Sequence, residues 1–260
     1  GGIGQIQSRL STGKRINSAE DDTSGYALSK HLESRTRGLS QALDNVGTAK
    51  NVLNIAEGGY QAQMDVLLTI KSKTVQAADS SLNADQRTAV RNQVKQLLLE
   101  VDDIQNQAKW NGSNIFGSTF SFHVGADKDD KLAVAMASST SAALGGDTTA
   151  NLSSMGETGG TYSIEDETKS ALAIGAVDSA IQSLATVIQN IGDTIIRLGL
   201  KADSLSITAS NTEATRSNYE DADMAVEQLE FLKHQIVQQT GISALSQANS
   251  APQIVLSLFR

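Results

Sequence analysis

The sequence predicts a mainly α-helical protein, an elongated antiparallel helical bundle or coiled coil with a small β-hairpin region. Three observations carry this. Val177, Ile181, Leu184, Ile188, Ile191, Ile195, Leu198, Ala202, Leu205 and Ala209 alternate steps of four and three without a miss, the a/d spacing of a helix buried along one stripe. Such a helix runs roughly 50 Å, longer than a compact globule of this size is wide. Second, 260 residues include five Phe, four Tyr, one Trp and one Pro, which suits narrow seams of Leu, Ile, Val and Ala better than a thick core. Third, alternation with period two is confined to one short region after residue 119.

From the start, Ile3, Ile6 and Leu10 are spaced like the tail of a helix, and Ser11, Thr12 and Gly13 break it, so the chain reads as a piece that begins part-way through a helix. LSTGKRINSAEDDTSGYALS is polar and aperiodic and is expected to form an ordered loop, with Asp21, Asp22 or Thr23 capping the next helix. A second seam follows through Leu39, Ala42, Val46, Ala49, Leu53, Ala56, Tyr60, Gln63, Leu67, Ile70, Thr74 and Ala77. Asp79 to Asp85 is a turn with capping residues. A third seam, Val90, Val94, Leu97, Val101, Ile104 and Ala108, turns back to make a helical hairpin. KWNGSN ends it with an Asn-Gly turn.

FSFHV and KLAVAM then alternate apolar and polar residues around the turn GADKDD, the pattern of a β-hairpin. Residues 137–161 are Ser, Thr, Gly and Ala with few large apolar side chains, a composition expected to bury little and to form a surface excursion or flexible loop. Ser163 or Asp166 caps the long helix, and NTEATRSNYEDAD after Ala209 reads as a loop or break. The tail holds Met224, Leu229, Phe231, Leu232, Ile236, Val237, Ile242, Leu245, Ile254, Val255, Leu258 and Phe259. That apolar surface is too wide for an internal seam, and burying half of it is worth on the order of 10 kcal/mol, so a partner is implied.

Three divisions follow: 1–23 with 217–260 as a terminal region and connecting loops, 24–116 with 166–216 as a long-helix rod domain, and 117–165 as a hairpin with a short variable segment. A net charge of −8 argues against a nucleic-acid partner and for solubility. Without cysteine there are no disulfides, thiol nucleophiles or thiolate metal sites. No run of eighteen apolar residues occurs, so no membrane insertion is expected. GGIGQIQSRLSTGKR holds no secretory apolar core, so an extracellular role implies export without a cleaved leader.

The residues offer little to catalysis. His31, His123 and His234 lie in unrelated segments, no GxSxG elbow occurs, and Gly13-Lys14 fails as a phosphate loop because Ser8 and Arg15 stand where glycine and Ser/Thr are needed. Glu20, Asp21 and Asp22, like Asp127, Asp129 and Asp130, lack calcium-loop spacing and read as caps and solvated turns. The chain is therefore read as a non-enzyme with no catalytic, cofactor or metal residues.

Three stretches go further. LSTGKRINSAEDDTSGYALS (Leu10 to Ser29) resembles the bacterial flagellin loop that usually reads LSSGxRINSAxDDAAGxAIS. ATRSNYEDADMAVE (Ala214 to Glu227) resembles the second signature of that family around RIxDADxAxE, and QIVQQTGISALSQANSAPQIVLSLFR (Gln235 to Arg260) is similar to its terminal stretch. The resemblance covers nearly the whole chain except 137–161. It implies a secreted, self-assembling filament subunit for motility, a homo-oligomer in the extracellular flagellum, whose opening residues are missing before Gly1. It also implies export unfolded, a chaperone on the C-terminal helix and a cap complex at the growing tip. The assembly and chaperone-binding tail would then comprise Met224, Leu229, Leu232, Ile236, Val237, Leu245, Ile254, Val255, Leu258 and Phe259. Family members sensed by the host's flagellin receptor carry LQRxREL then AVQ. Here Thr69 and Lys71 stand at the two arginines, Lys73 at the leucine, and Gln93 at a usual glutamate, so this innate immune contact is expected to be weak. GDTIIRLGLKAD departs from the usual DLGAxQNR run, which implies altered local subunit contacts. Competing readings are a hook-filament junction protein, with similar ends, and a surface protein binding glycans or a host receptor through the hairpin and Ser/Thr-rich segment.

Overall fold

The computed structural model describes residues 2–144 and 151–258, with no side chains described from 249 on. The elements in order are α1 (Ile3–Thr12), α2 (Thr23–Ala77), α3 (Ala84–Gln107), β1 (Lys109–Trp110), β2 (Ser113–Asn114), β3 (Thr119–His123), β4 (Lys131–Ala135), a 3₁₀ turn (Leu152–Gly156), α4 (Glu167–Glu220) and α5 (Met224–Leu258). Helix dominates, and the strands form two antiparallel pairs. Contacts divide the chain into two compact units, Gln41–Ser206 and Gly1–Ser40 with Ile207–Arg260; α2 and α4 contribute residues to both.

In the 41–206 unit the α2 seam is the core. All twelve residues from Leu39 to Ala77 picked out by heptad spacing are buried, the polar Gln63 and Thr74 among them, and all but Leu39 belong to this unit. Thr74 returns its hydroxyl to the carbonyl of Ile70, 2.8 Å away. Gln63 donates to the carbonyl of Val101 at 2.9 Å and accepts from the hydroxyl of Ser139 at 2.6 Å, so neither end is left unsatisfied. The ring of Tyr60 lies 4.2 Å from that of Phe116, and its hydroxyl donates to the carbonyl of Ala137. Gly59 makes room for this: a Cβ there would meet Phe116 Cζ at 2.6 Å.

Asn83 and Gln86 form a reciprocal capping box at the start of α3. The buried stripe of this helix is Arg87, Val90, Val94, Leu98, Val101 and Gln105, one residue off the predicted seam at Leu97 and Ile104, which are only half-buried. Gln105 wins its place by accepting the backbone N–H of Ser139 at 2.7 Å. Asn111 and Gly112, with φ of 49° and 80°, close the Asn-Gly turn between β1 and β2. The β3–β4 hairpin forms in the register Phe120 opposite Val134 and Phe122 opposite Leu132.

The expected flexible excursion at 137–161 is overturned where it is described. Leu152 and Met155 are fully buried, and the 3₁₀ turn packs on α3. Asp102 accepts from the N–H and hydroxyl of Ser141 at 2.7 and 2.8 Å. Small polar residues bury backbone here by hydrogen bonding it to α3, which composition does not reveal. Residues 145–150 lie outside the described residues.

Asp166 caps α4 by accepting the N–H of Lys169. Along the seam, Val177, Leu184, Ile191, Leu198 and Leu205 are buried, whereas Ile181, Ile188, Ile195, Ala202 and Ala209 are half-covered. An eighteen-residue stretch of this helix reaches a mean hydropathy of 1.6, enough by length and composition for a membrane span, although no uninterrupted apolar run exists. Its heptad-spaced core residues mark it as a packed helix. Lys71 pairs with Asp178 at 2.5 Å and Arg91 with Glu165 at 3.6 Å.

In the other unit, the predicted break after Ala209 does not occur: α4 continues to Glu220, and only Asp221–Asp223 separate it from α5. Charge pairing sustains the helix there, Arg216 binding Glu213 at i−3 and Glu220 at i+4. The predicted loop after Leu10 is likewise shorter. α1 runs to Thr12, and α2 begins at Thr23 with Asp22 accepting from the N–H groups of Ser24 and Gly25.

Candidate assembly interface

The loop between α1 and α2 is fastened to the end of α4 through Glu220. Gly13, at φ 71°, ends α1 in a left-handed turn that an L side chain would strain. The turn lets Lys14 bridge to Asp221, the N–H of Arg15 donate to the Glu220 carbonyl at 2.6 Å, and the N–H of Ala222 donate to the Gly13 carbonyl at 2.9 Å. The Glu220 carboxylate, 5% exposed, accepts from Lys14 Nζ at 2.5 Å, the Ser29 hydroxyl at 2.6 Å and Arg216 at 2.8 Å. Burial would raise its pKa, but the hydrogen bonds from Lys14 and Ser29 and the charges of Lys14 and Arg216 prevail, and the net shift is downward. The group is held ionised among three elements.

A second acid organises the loop itself. Asp21 accepts from Gln5 of α1 at 2.6 Å and from the N–H groups of Asn17 and Ser18, and these bonds lower its pKa to about 2. On the first turns of α2, Glu33 accepts from Lys30 and Arg37, and these bonds also place it at about 2. The acidic run at 20–22 thus serves as turn and cap.

This frame presents α5. Helix α1 packs against it, Arg9 binding Glu227 at 3.2 Å. With ten residues against thirty-five, α1 can lie along less than a third of its length. Of the predicted tail residues, Met224 and Leu232 are a little under half exposed, while Leu229, Ile236, Val237 and Leu245 are 61 to 68% exposed. Val226 and Ile242 add to them. At 100° per residue these positions fall on every side of the helix, the pattern of a helix enclosed by neighbours. Covering their exposed parts is worth roughly 10 kcal/mol. Ile254, Val255, Leu258 and Phe259 lie outside the described side chains. Thr69 and Gln93 are exposed on α2 and α3, Lys73 is half-exposed, and Lys71 is engaged by Asp178, all in the 41–206 unit.

Sequence reasoning missed Glu220, reading its segment as loop. The signal was present in the spacing of Glu213, Arg216 and Glu220, whose opposite charges at i+3 and i+4 mark a continuing helix.

Comparison with known proteins matches the bacterial flagellin N-terminal helical region over residues 2–121 and the bacterial flagellin C-terminal helical region over 174–259. The flagellar filament 33 kDa core protein of Treponema phagedenis is 34% identical, over 97% of this chain and 90% of its own. Flagellin FlaB1 of Treponema pallidum is 32% identical over 99% and 92%. Among solved structures, Bacillus cereus flagellin aligns with a TM-score of 0.51 at 20% identity, covering 66% of this chain and 94% of that one. A flagellar hook-associated protein from Vibrio parahaemolyticus aligns with a TM-score of 0.64 at 14% identity, covering 77% and 100%. At those identities the two structures speak for the fold alone.

Proposed function

The chain belongs to the bacterial flagellin family and is a structural subunit of a flagellar filament, and from that premise we propose that α5 is the surface through which it joins its neighbours. The observation that carries this is the ring of exposed apolar residues on α5 from Met224 to Leu245, held by a charge-fastened frame and left open among the described residues. A helical polymer covers such a surface on every side, and one partner covers one side.

Assembly belongs to 1–23 with 217–260, spacing to 24–116 with 166–216, and outward display to 117–165. Before polymerisation the same apolar face calls for a chaperone, and its burial on delivery calls for a cap complex at the growing end. Export to the outside in an unfolded state fits a chain without cysteine, which has no disulfide to form in transit. The work is mechanical, with no catalytic step. The residues at Thr69, Lys71, Lys73 and Gln93 make any contact with a host flagellin receptor a weak one.

The test is a pair of substitutions on exposed faces, Leu232→Asp with Ile236→Asp, placed in the gene that encodes the chain. Both side chains meet solvent in the monomer, so the melting curve of the purified protein should stay unchanged while sheared filaments disappear from the cells. Filaments of ordinary length would refute the assignment of assembly to α5.

A further inference from the structure

A second, different surface lies in the 41–206 unit. Between β4 and α4 is a hollow of about 440 Å³ with a floor of Val124, Leu132 and Leu198 and the exposed Leu200 at its rim. Three cations surround it, Lys131, Arg197 and Lys201. The hollow continues through Arg197 into a trough along the same two elements, lined by Asn190 and Asp193. None of these charged residues has an ion-pair partner among the described residues. In a chain of net charge −8, three cations left unpaired around an apolar floor form a receptor for something acidic with an apolar centre.

Such a feature is present on α3. Leu99 is 49% exposed, flanked by Glu100 and Asp103, with Lys95 one turn earlier, and these three charges are also without ion-pair partners among the described residues. The order of charges along the two helices is complementary. On α4, Asp193, Arg197 and Lys201 follow at steps of four; on α3, Lys95, Leu99 and Asp103 do the same, with Glu100 beside Leu99. Each set spans eight residues, about 12 Å. Laid side by side in the same direction, Lys95 meets Asp193, Glu100 meets Arg197, Asp103 meets Lys201, and Leu99, level with Arg197, reaches toward the apolar floor and Leu200 three residues further on.

The direction is also right. Arg91, near the start of α3, pairs with Glu165, just before the start of α4. The segment after β4 places Ser139 on Gln105 near the end of α3, while β4 itself lines the hollow with Arg197 and Lys201. The two helices therefore run the same way within this unit, and two copies in one orientation present α3 of one parallel to α4 of the other.

We propose that the exposed Leu99 edge of α3 docks into the Arg197–Lys201 hollow of a second copy of this chain. The proposal rests on the filament reading and names one of its lateral contacts. Because the two surfaces differ, the contact is heterologous and each copy can both give and receive, which propagates into an open polymer.

The absence of cysteine makes the test clean. Leu99→Cys and Leu200→Cys, singly and together, are placed in the gene, and intact filaments are treated with a short bis-maleimide before denaturing electrophoresis. The double variant should give a ladder of oligomers and each single variant monomers alone. Filaments of the double variant that yield only monomers, a single dimer band, or a cross-link to a different protein overturn the contact and leave the filament reading standing. If the unaltered chain is absent from the cells' filaments, the filament reading itself fails.

Discussion

Replacing Glu220 with Gln keeps the shape of the residue and removes the charge that Lys14, Ser29 and Arg216 share. The Lys14 side chain is 40% exposed and that of Arg216 20%, so both cations regain some water when the carboxylate is gone. The cost falls below the 3–5 kcal/mol typical of a fully buried pair broken on one side, and nearer that of lost charged hydrogen bonds, about 1–3 kcal/mol. The loss is local, since the contacts concerned join the 13–16 turn, the first turns of α2 and the end of α4.

Hydrogen exchange at the N–H groups of Arg15 and Ala222, which donate to the Glu220 and Gly13 carbonyls, reads it directly. At a factor of ten for each 1.4 kcal/mol, these amides should exchange roughly five- to 150-fold faster, while those of α3 stay protected. Glu213→Gln is the control: its carboxylate is 46% exposed and its loss costs under about 1 kcal/mol. Because the pKa of Glu220 is lowered on folding, its contribution is present above the ordinary carboxylate range and fades as pH falls through the folded value. In the Gln variant that acid dependence should be missing. Unchanged exchange at Arg15 and Ala222 would refute the role given to Glu220.

Two further outcomes follow from the geometry. Asp21 and Glu33, both at about 2 in the fold against ordinary values of 3.8 and 4.5, stabilise their unit fully above pH ~5 and lose that contribution as pH falls toward 2; carboxyl titration by NMR should find both midpoints low, and Asp21→Asn should flatten that part of the acid-unfolding curve. Gly59→Ala sets a Cβ 2.6 Å from Phe116 Cζ and should destabilise the 41–206 unit by about 1–3 kcal/mol, read from urea unfolding by the fluorescence of Trp110, whereas with Phe116→Leu the same change should become neutral or stabilising by up to about 1 kcal/mol.

What was legible in the sequence was whatever repeats. Each α2 residue from Leu39 to Ala77 that heptad spacing selects is buried, because one long helix pressed against two others leaves no freedom in its register. On α3 the row Leu97, Leu98, Leu99 is ambiguous, and a polar partner decides it: burying Gln105 satisfies Ser139, and Leu98 comes with it on the same stripe. The same kind of interaction hid the order in 137–144, where Ser139 and Ser141 are buried for the hydrogen bonds they make with Gln63, Gln105 and Asp102. Hydrophobic pattern reports transfer from water, whereas paired polar groups leave no such trace. The charge spacing of Glu213, Arg216 and Glu220 marks a continuing helix, but a reading led by apolar repeats passes over it, whereas the α5 tail stands out by its apolar positions, too many for one seam.

The two surfaces left open differ in kind, and the difference bears on how a filament can be both strong and specific. Helix α5 offers apolar area on all sides with little charge pattern to set a register, so in the proposed assembly it supplies cohesion but discriminates poorly among positions along a neighbour. The α3 edge and the α4 hollow offer one leucine and three charge pairs at fixed spacing, each pair contributing about 0.2–1 kcal/mol at an exposed site. That is too little to hold a polymer, yet a slip by one helical turn would set Asp103 beyond Lys201 and Lys95 beside Arg197, leaving Glu100 with Lys201 to offset that repulsion and the net attraction lost. Cohesion and register then reside in separate parts of the chain. Reversing the charges of Arg197 and Lys201 should therefore disturb the regularity of filaments more than their existence, whereas aspartates on α5 remove the filaments outright.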